Sequence, residues 1–203
     1  MFKTTISRDE INVLPIATYP NNIILLEADH QVQDAVRHLR NLDVIGFDTE
    51  TRPSFKKGRK NKIALLQLAG NEMVWILRVN LLGLPDEIID ILSNPEITKV
   101  GVAIRDDLKG LQEYKKFNPE GFVDLADYTN KFSIKDNGLR KLAAIILGVK
   151  ISKSQQISNW EQHILTDKQK QYAAIDAWAC LEIYKELIQV KRGASSSGHI
   201  KIG

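Results

Sequence analysis

The chain has 203 residues, 43% of them hydrophobic and 26% charged, the balance of one ordinary domain with a real core rather than of a disordered or fibrous chain. The formal net charge is +3, a mild basicity that permits a polyanionic partner without demanding one. The single cysteine, Cys180, excludes an intrachain disulfide, the first ten residues lack an apolar leader stretch, and no apolar run reaches the ~20 residues of a membrane span, so a soluble intracellular protein is expected.

Residues 1–21, punctuated by Pro15 and Pro20, show little periodicity and read as a leader. Residues 22–27 read as a strand. Asp29 is a candidate N-cap for a helix to Arg40, with Val32, Val36 and Leu39 on one face. A second strand, 43–50, ends in Asp48-Thr49-Glu50. Residues 52–62 form a polar loop with five basic side chains, Lys56, Lys57, Arg59, Lys60 and Lys62. Two strands, 63–69 and 73–77, flank a Gly70-Asn71 turn, a hairpin signal. A helix is expected over 84–92, with Pro85 tolerated in its first turn. A buried strand, 99–104, runs into a helix opened by Arg105-Asp106-Asp107. Residues 122–132 carry no clear period. An amphipathic helix over 138–147 stops at Gly148. Residues 149–165 are loop, holding Ser158-Asn159-Trp160. Thr166 and Gln169 form a capping box that starts a helix to about Val190. The Gly/Ser-rich residues 191–203 read as a flexible tail. The expected architecture is α/β: a mixed β-sheet flanked by helices, spanning 22–190 as one domain.

Asp48 and Glu50 stand one residue apart at the end of an apolar strand. Strand side chains alternate, so both carboxylates point to one face, about 6.6 Å apart along the backbone. Such a pair repels itself unless a cation or proton intervenes. Taken alone, it also fits a solvated loop after a strand. Asp107 follows a later strand, and Leu111 four residues on can anchor it. Asp106 has only Gly110 there and reads as an N-cap, although both could merely favour the positive helix end. In the last helix Tyr172 and Asp176 lie one turn apart on one face, beside the small Ala173, Ala174 and Ala177. Taken alone, that pair is better read as a solvent-facing Asp beside a packed Tyr. Jointly, four carboxylates converging on one point form an oxygen-only set that selects Mg²⁺ or Mn²⁺. No Cys/His pair at ligand spacing favours zinc.

These residues, in this order, resemble the DEDD superfamily of 3′–5′ exonucleases, in its tyrosine branch. The first motif is Asp48-Thr49-Glu50, the second Asp107 with Leu111, the third Tyr172-x-x-x-Asp176. Lys99–Ile104, Gly138–Leu142 with Leu147-Gly148, and Ser158-Asn159-Trp160 extend the likeness over about residues 22–190. It is strongest to exonuclease domains of the Werner type, then to ribonuclease D. The sister branch carries histidine five residues before the last aspartate, where this chain has Gln171. His163 reads as a loop residue. The chain departs at Thr51-Arg52-Pro53, where the Werner-type domains have an aromatic.

The resemblance implies a ribonuclease H-like fold and removal of nucleoside 5′-monophosphates from nucleic-acid 3′ ends, with DNA favoured over RNA. It implies two Mg²⁺ or Mn²⁺ ions on Asp48, Glu50, Asp107 and Asp176, and Tyr172 orienting the attacking water. RNA 3′-end trimming, or a catalytically silent nucleic-acid-binding module, are the alternatives. The basic loop is a candidate phosphate contact, equally readable as a solvated loop. Trp160 is a candidate for base stacking, or an aromatic that anchors its loop to the core.

Overall fold

A computed structural model describes residues 2–54, 58 and 61–196. Six strands form in chain order: β1 (Asn22–Leu26), β2 (Val44–Thr51), β3 (Ile63–Ala69), β4 (Met73–Leu77), β5 (Thr98–Gly101) and β6 (Phe122–Asp124). They make one mixed sheet in the order β1-β4-β3-β2-β5-β6. β2 runs antiparallel to β3 and parallel to β5, and β4 is antiparallel to β3 and parallel to β1. The sheet is thus the α/β arrangement that the strand-rich first half and helix-rich second half call for.

Eight helices accompany the sheet among the described residues: α1 (Arg8–Asn12), α2 (Asp29–Leu39), α3 (Val79–Leu82), α4 (Asp86–Leu92), α5 (Arg105–Gln112), α6 (Leu125–Tyr128), α7 (Leu139–Leu142) and α8 (Asp167–Ser196). The alternation of β2 sorts the core into two layers. Ile45 and Phe47 face a layer with Val32, Val36 and Leu39 of α2, Ile88 and Leu92 of α4, and Leu111 of α5. The opposite face packs under α8, where Leu65, Ala69, Val74 and Ile76 meet Ala173, Ala177, Cys180 and Leu187. No helix among the described residues is long and apolar enough to cross a membrane.

Several local expectations are corrected. The segment before β1 does more than lead in. It forms α1, capped by Ser7 and Glu10, and buries Ile6, Ala17 and Tyr19. Ala17 also donates its N–H to the Lys150 carbonyl at 2.9 Å. Helix α2 is capped by Ala28 rather than Asp29, because the Gln31 side chain accepts the backbone N–H groups of Glu27 and Ala28. Pro85 sits at the N-cap of α4, one position outside the helix. β5 ends at Gly101, and Ala103 then takes a left-handed φ of 58°. Residues 122–132, patternless in sequence, divide into β6, α6 and a 3₁₀ turn. α7 continues as a π-helical turn, Ala143–Leu147, and Gly148 ends it with a φ of 67°. α8 runs to Ser196, past the expected end near Val190, so residues 191–196 are helical. The remainder of the expected tail lies outside the described residues.

Candidate active site

The site is built where β2 meets α8. Gly46 is what allows the approach. A β-carbon there would lie 2.0 Å from the carbonyl oxygen of Ala177 and 3.0 Å from Cβ of Leu181. With no side chain at 46, the helix backbone rests on the strand. Asp176 is therefore brought over Asp48, two residues further along the same strand face. Thr166 fixes the entry of α8: its hydroxyl accepts the Gln169 N–H at 3.2 Å, and its own N–H donates to Gln169 Oε1 at 2.9 Å.

Asp48, Glu50 and Asp176 each offer a carboxylate oxygen, and the three oxygens lie within 4.8 Å of one another. Asp176 is buried and the strand acids are half-buried. Burial and the neighbouring carboxylates of Asp176 and Asp107 hold the Asp48 carboxyl well above the usual range. Glu50, buried beside Asp48 and Asp176, is pushed up to about 10. Asp176 is raised as well, chiefly by burial; its hydrogen bond with Tyr172 and the nearby Arg140 guanidinium oppose the shift. Its Oδ1 is buried without a hydrogen-bond partner. Carboxylates crowded so that each suppresses its neighbour's ionisation, with a buried acceptor oxygen left open, form the donor set a hard divalent cation fits.

Asp107 stands at the margin of this trio. It lies near the start of α5, close enough to raise Asp48 and Glu50. One of its oxygens accepts the hydroxyl of Thr49, which points to the opposite face of β2 from Asp48. Its own carboxyl is raised, first by burial, against that hydrogen bond. Leu111 is fully buried and anchors the helix. Asp106 is not an N-cap: Ile104 holds that place, and the 88% exposed Asp106 side chain pairs with Lys109 at 3.3 Å.

Tyr172 lies one turn before Asp176. Burial first, then the carboxylates of Asp176, Glu50 and Asp48, push its phenol further above its ordinary range. The hydroxyl therefore keeps its proton, which it donates toward Asp176. The Tyr172 ring packs against Trp160, 5.8 Å between centroids. Trp160 has no exposed surface, so it offers no face to a base and instead seats its loop on the core. That loop is also tied down by Arg78, fully buried, which donates to the Gln162 carbonyl at 2.7 Å and pairs with Glu27 at 2.9 Å.

Of the basic loop, Lys62 is described, with Nζ 5.2 Å from the Tyr114 ring centroid. Lys56, Lys57, Arg59 and Lys60 lie outside the described residues. A cavity of about 550 Å³ opens beside Asp107, walled by Thr51, Arg52, Lys62 and Lys109.

Sequence reading passed over three residues that shape this site. Gly46 was hidden within an apolar strand. Gln67 is paired with Asp48 in the β2–β3 register. Asp124 accepts the N–H groups of Ala103 and Ile104 at 2.9 and 3.1 Å, clamping the left-handed turn that aims α5. Only Gly46 had a local signal, as a glycine inside a strand pattern, which marks close backbone approach.

A family model described as 3′-5′ exonuclease matches residues 23–190. The mouse bifunctional 3′-5′ exonuclease/ATP-dependent helicase WRN is 32% identical over 184 residues, 86% of this chain but 13% of that protein. The Nibbler EXO domain of Aedes aegypti superposes with a TM-score of 0.74 at 24% identity, over 86% of this chain and 94% of that one. A Trypanosoma brucei RNase D in complex with RNA U12 superposes at 0.73 with 21% identity, over 83% and 63% of the two chains. Both structures share the fold.

Proposed function

For a chain that belongs to the 3′-5′ exonuclease domain family, we propose metal-dependent hydrolysis of phosphodiester bonds at nucleic-acid 3′ ends, releasing nucleoside 5′-monophosphates. The observation that carries this reading is the meeting of Asp48, Glu50 and Asp176 within 4.8 Å beside a protonated tyrosine. A silent binding module has no use for carboxylates that repel a polyanion.

In this proposal Asp48, Glu50 and Asp176 would hold one Mg²⁺ or Mn²⁺, and Asp107 beside them would help hold a second. When bound, the ions supply Lewis-acid activation and neutralise charge at the scissile phosphate. The residues do the rest. Tyr172, held protonated by its acidic surroundings, cannot serve as a base at neutral pH; its hydroxyl orients the attacking water. Glu50, on the same face as Asp48, would be the carboxylate placed to take that water's proton when ionised. Thr49 holds Asp107 from behind, which keeps one oxygen occupied and the other available. The basic loop, with Lys62 and Lys109 at the cavity beside Asp107, would draw in the phosphates of the incoming strand.

The test is digestion of 5′-labelled DNA and RNA oligomers with Mg²⁺, Mn²⁺ or EDTA. The expected result is stepwise shortening from the 3′ end, release of 5′-monophosphates, and silence in EDTA. Internal cleavage, or release that persists in EDTA, overturns the reading. Running both polymers matters because the relatives span a WRN protein and an RNase D bound to RNA.

A further inference from the structure

Gln67 is the one polar residue in β3, whose other six residues are apolar. It is fully buried. Its Cα is paired with that of Asp48, and residues directly opposed on an antiparallel pair share a face, with Cβ atoms about 5 Å apart. Gln67 therefore lies on the face covered by α8, alongside Asp48. Neither its Nε2 nor its Oε1 has a hydrogen-bond partner. A leucine, like Leu66 and Leu68 beside it, would fill the place without burying an unpaired amide. The nearby Asp176 Oδ1 is buried and unpartnered too.

The chemistry of the side chain fits its neighbour. A lysine or arginine here would neutralise the acid and compete with a cation. An amide adds a donor without adding charge. We propose that Gln67 is a positioning residue for Asp48: its Nε2–H donates to one oxygen of the ionised carboxylate and fixes the other toward the cation. This rests on the reading of the acidic trio as a cation site.

The test is calorimetric titration of Mn²⁺ into the nucleic-acid-free protein, for wild type, Gln67→Leu and Gln67→Met, with thermal melts of each. Leucine matches the flanking residues, and methionine keeps the length of glutamine without its donors. Both variants are expected to melt at or above the wild-type temperature. Both should bind Mn²⁺ about tenfold or more weakly, and lower kcat on an oligonucleotide at unchanged KM. Wild-type Mn²⁺ affinity in a folded variant overturns the proposal. So does a large loss of melting temperature in both variants, which would make the amide a support of the strand rather than of the acid. If wild type itself takes up no Mn²⁺, the cation reading fails, a result distinct from failure of the role given to Gln67.

Discussion

Replacing Gly46 by alanine tests the close strand–helix approach on which the site depends. The added β-carbon would lie 2.0 Å from the Ala177 carbonyl oxygen, whereas ordinary contact begins near 3.4 Å. The obstacle is backbone, so no rotamer change relieves it. The helix must retreat by about 1.4 Å at Ala177, the difference of those two distances, and Asp176 is its neighbour in sequence. Overpacking of this kind costs about 1–3 kcal/mol, which for a chain of this size lowers Tm by about 2–12 °C. Activity should fall further than stability, because a displacement of about 1 Å at a reacting group can cost about a hundredfold in rate. The assay pairs a thermal melt with single-turnover digestion of a labelled oligomer in Mg²⁺. Gly193→Ala, at a helical position where a β-carbon meets nothing within 4 Å, is the control and should lower neither reading. Wild-type turnover in Gly46→Ala would refute the claim that this contact sets the distance between Asp48 and Asp176.

Asp48→Asn should abolish hydrolysis yet raise the Tm of the metal-free protein, since it removes one of several mutually repelling buried carboxylates; a lower Tm would count against that repulsion. The pH dependence follows from the same crowding. Glu50 is raised from 4.5 to about 10, so at this group the metal-free fold binds more protons than the unfolded chain, and the stability Glu50 contributes is full below about pH 4.5 and is lost as pH rises through 10. Melts from pH 5 to 9 should show that decline, and saturating Mg²⁺ should flatten it. Metal uptake at pH 7 should release at least one proton, read by calorimetry in buffers of different ionisation enthalpy. Asp124→Ala removes a charged acceptor from the N–H groups of Ala103, Ile104 and Ala126; denaturant unfolding should show a loss of about 2–3 kcal/mol. Neutralising Lys56, Lys57, Arg59 and Lys60 together should lower the slope of log affinity against log salt by about 0.7 for each phosphate the loop neutralises; an unchanged slope would remove the loop from the binding surface.

β1 to β5 were legible because their cores are short apolar runs with β-branched residues, and α8 because its capping box states its own start; β6, three residues long, showed no pattern. Asp48 and Glu50 were legible for a different reason: charge at the end of a buried strand is a conflict that sequence displays openly. What could not be read depends on neighbours distant in sequence. Leu111 singled out Asp107 from Asp106 in the sequence, but the hydroxyl of Thr49 that holds Asp107, and the N-cap place that falls to Ile104 rather than Asp106, had no local signal. The left-handed turn at Ala103 has no glycine to announce it, being held by Asp124, 21 residues away. For Trp160 the sequence offered both base stacking and an anchor for its loop; Arg78 and Tyr172 draw that loop onto the core, which makes it the anchor.

The same crowding that makes the site expensive gives it its use. Three carboxylates that shared an open surface would each ionise freely and bind a divalent cation weakly, in competition with water. Here α8 presses Asp176 onto β2, and the packed strand and helix strip part of the solvent from Asp48. Neutrality must then come from protons or from a cation, and only a cation lets all three ionise at once. The basic residues are kept at the margin: Lys109 pairs with Asp106, and Arg52 with Glu161. Arg140, whose charge acts on Asp176, is tethered to the Ile151 carbonyl at 3.0 Å. Among the described residues no lysine or arginine is set against the acidic trio by an ion pair, which is the arrangement a cation from solution fits.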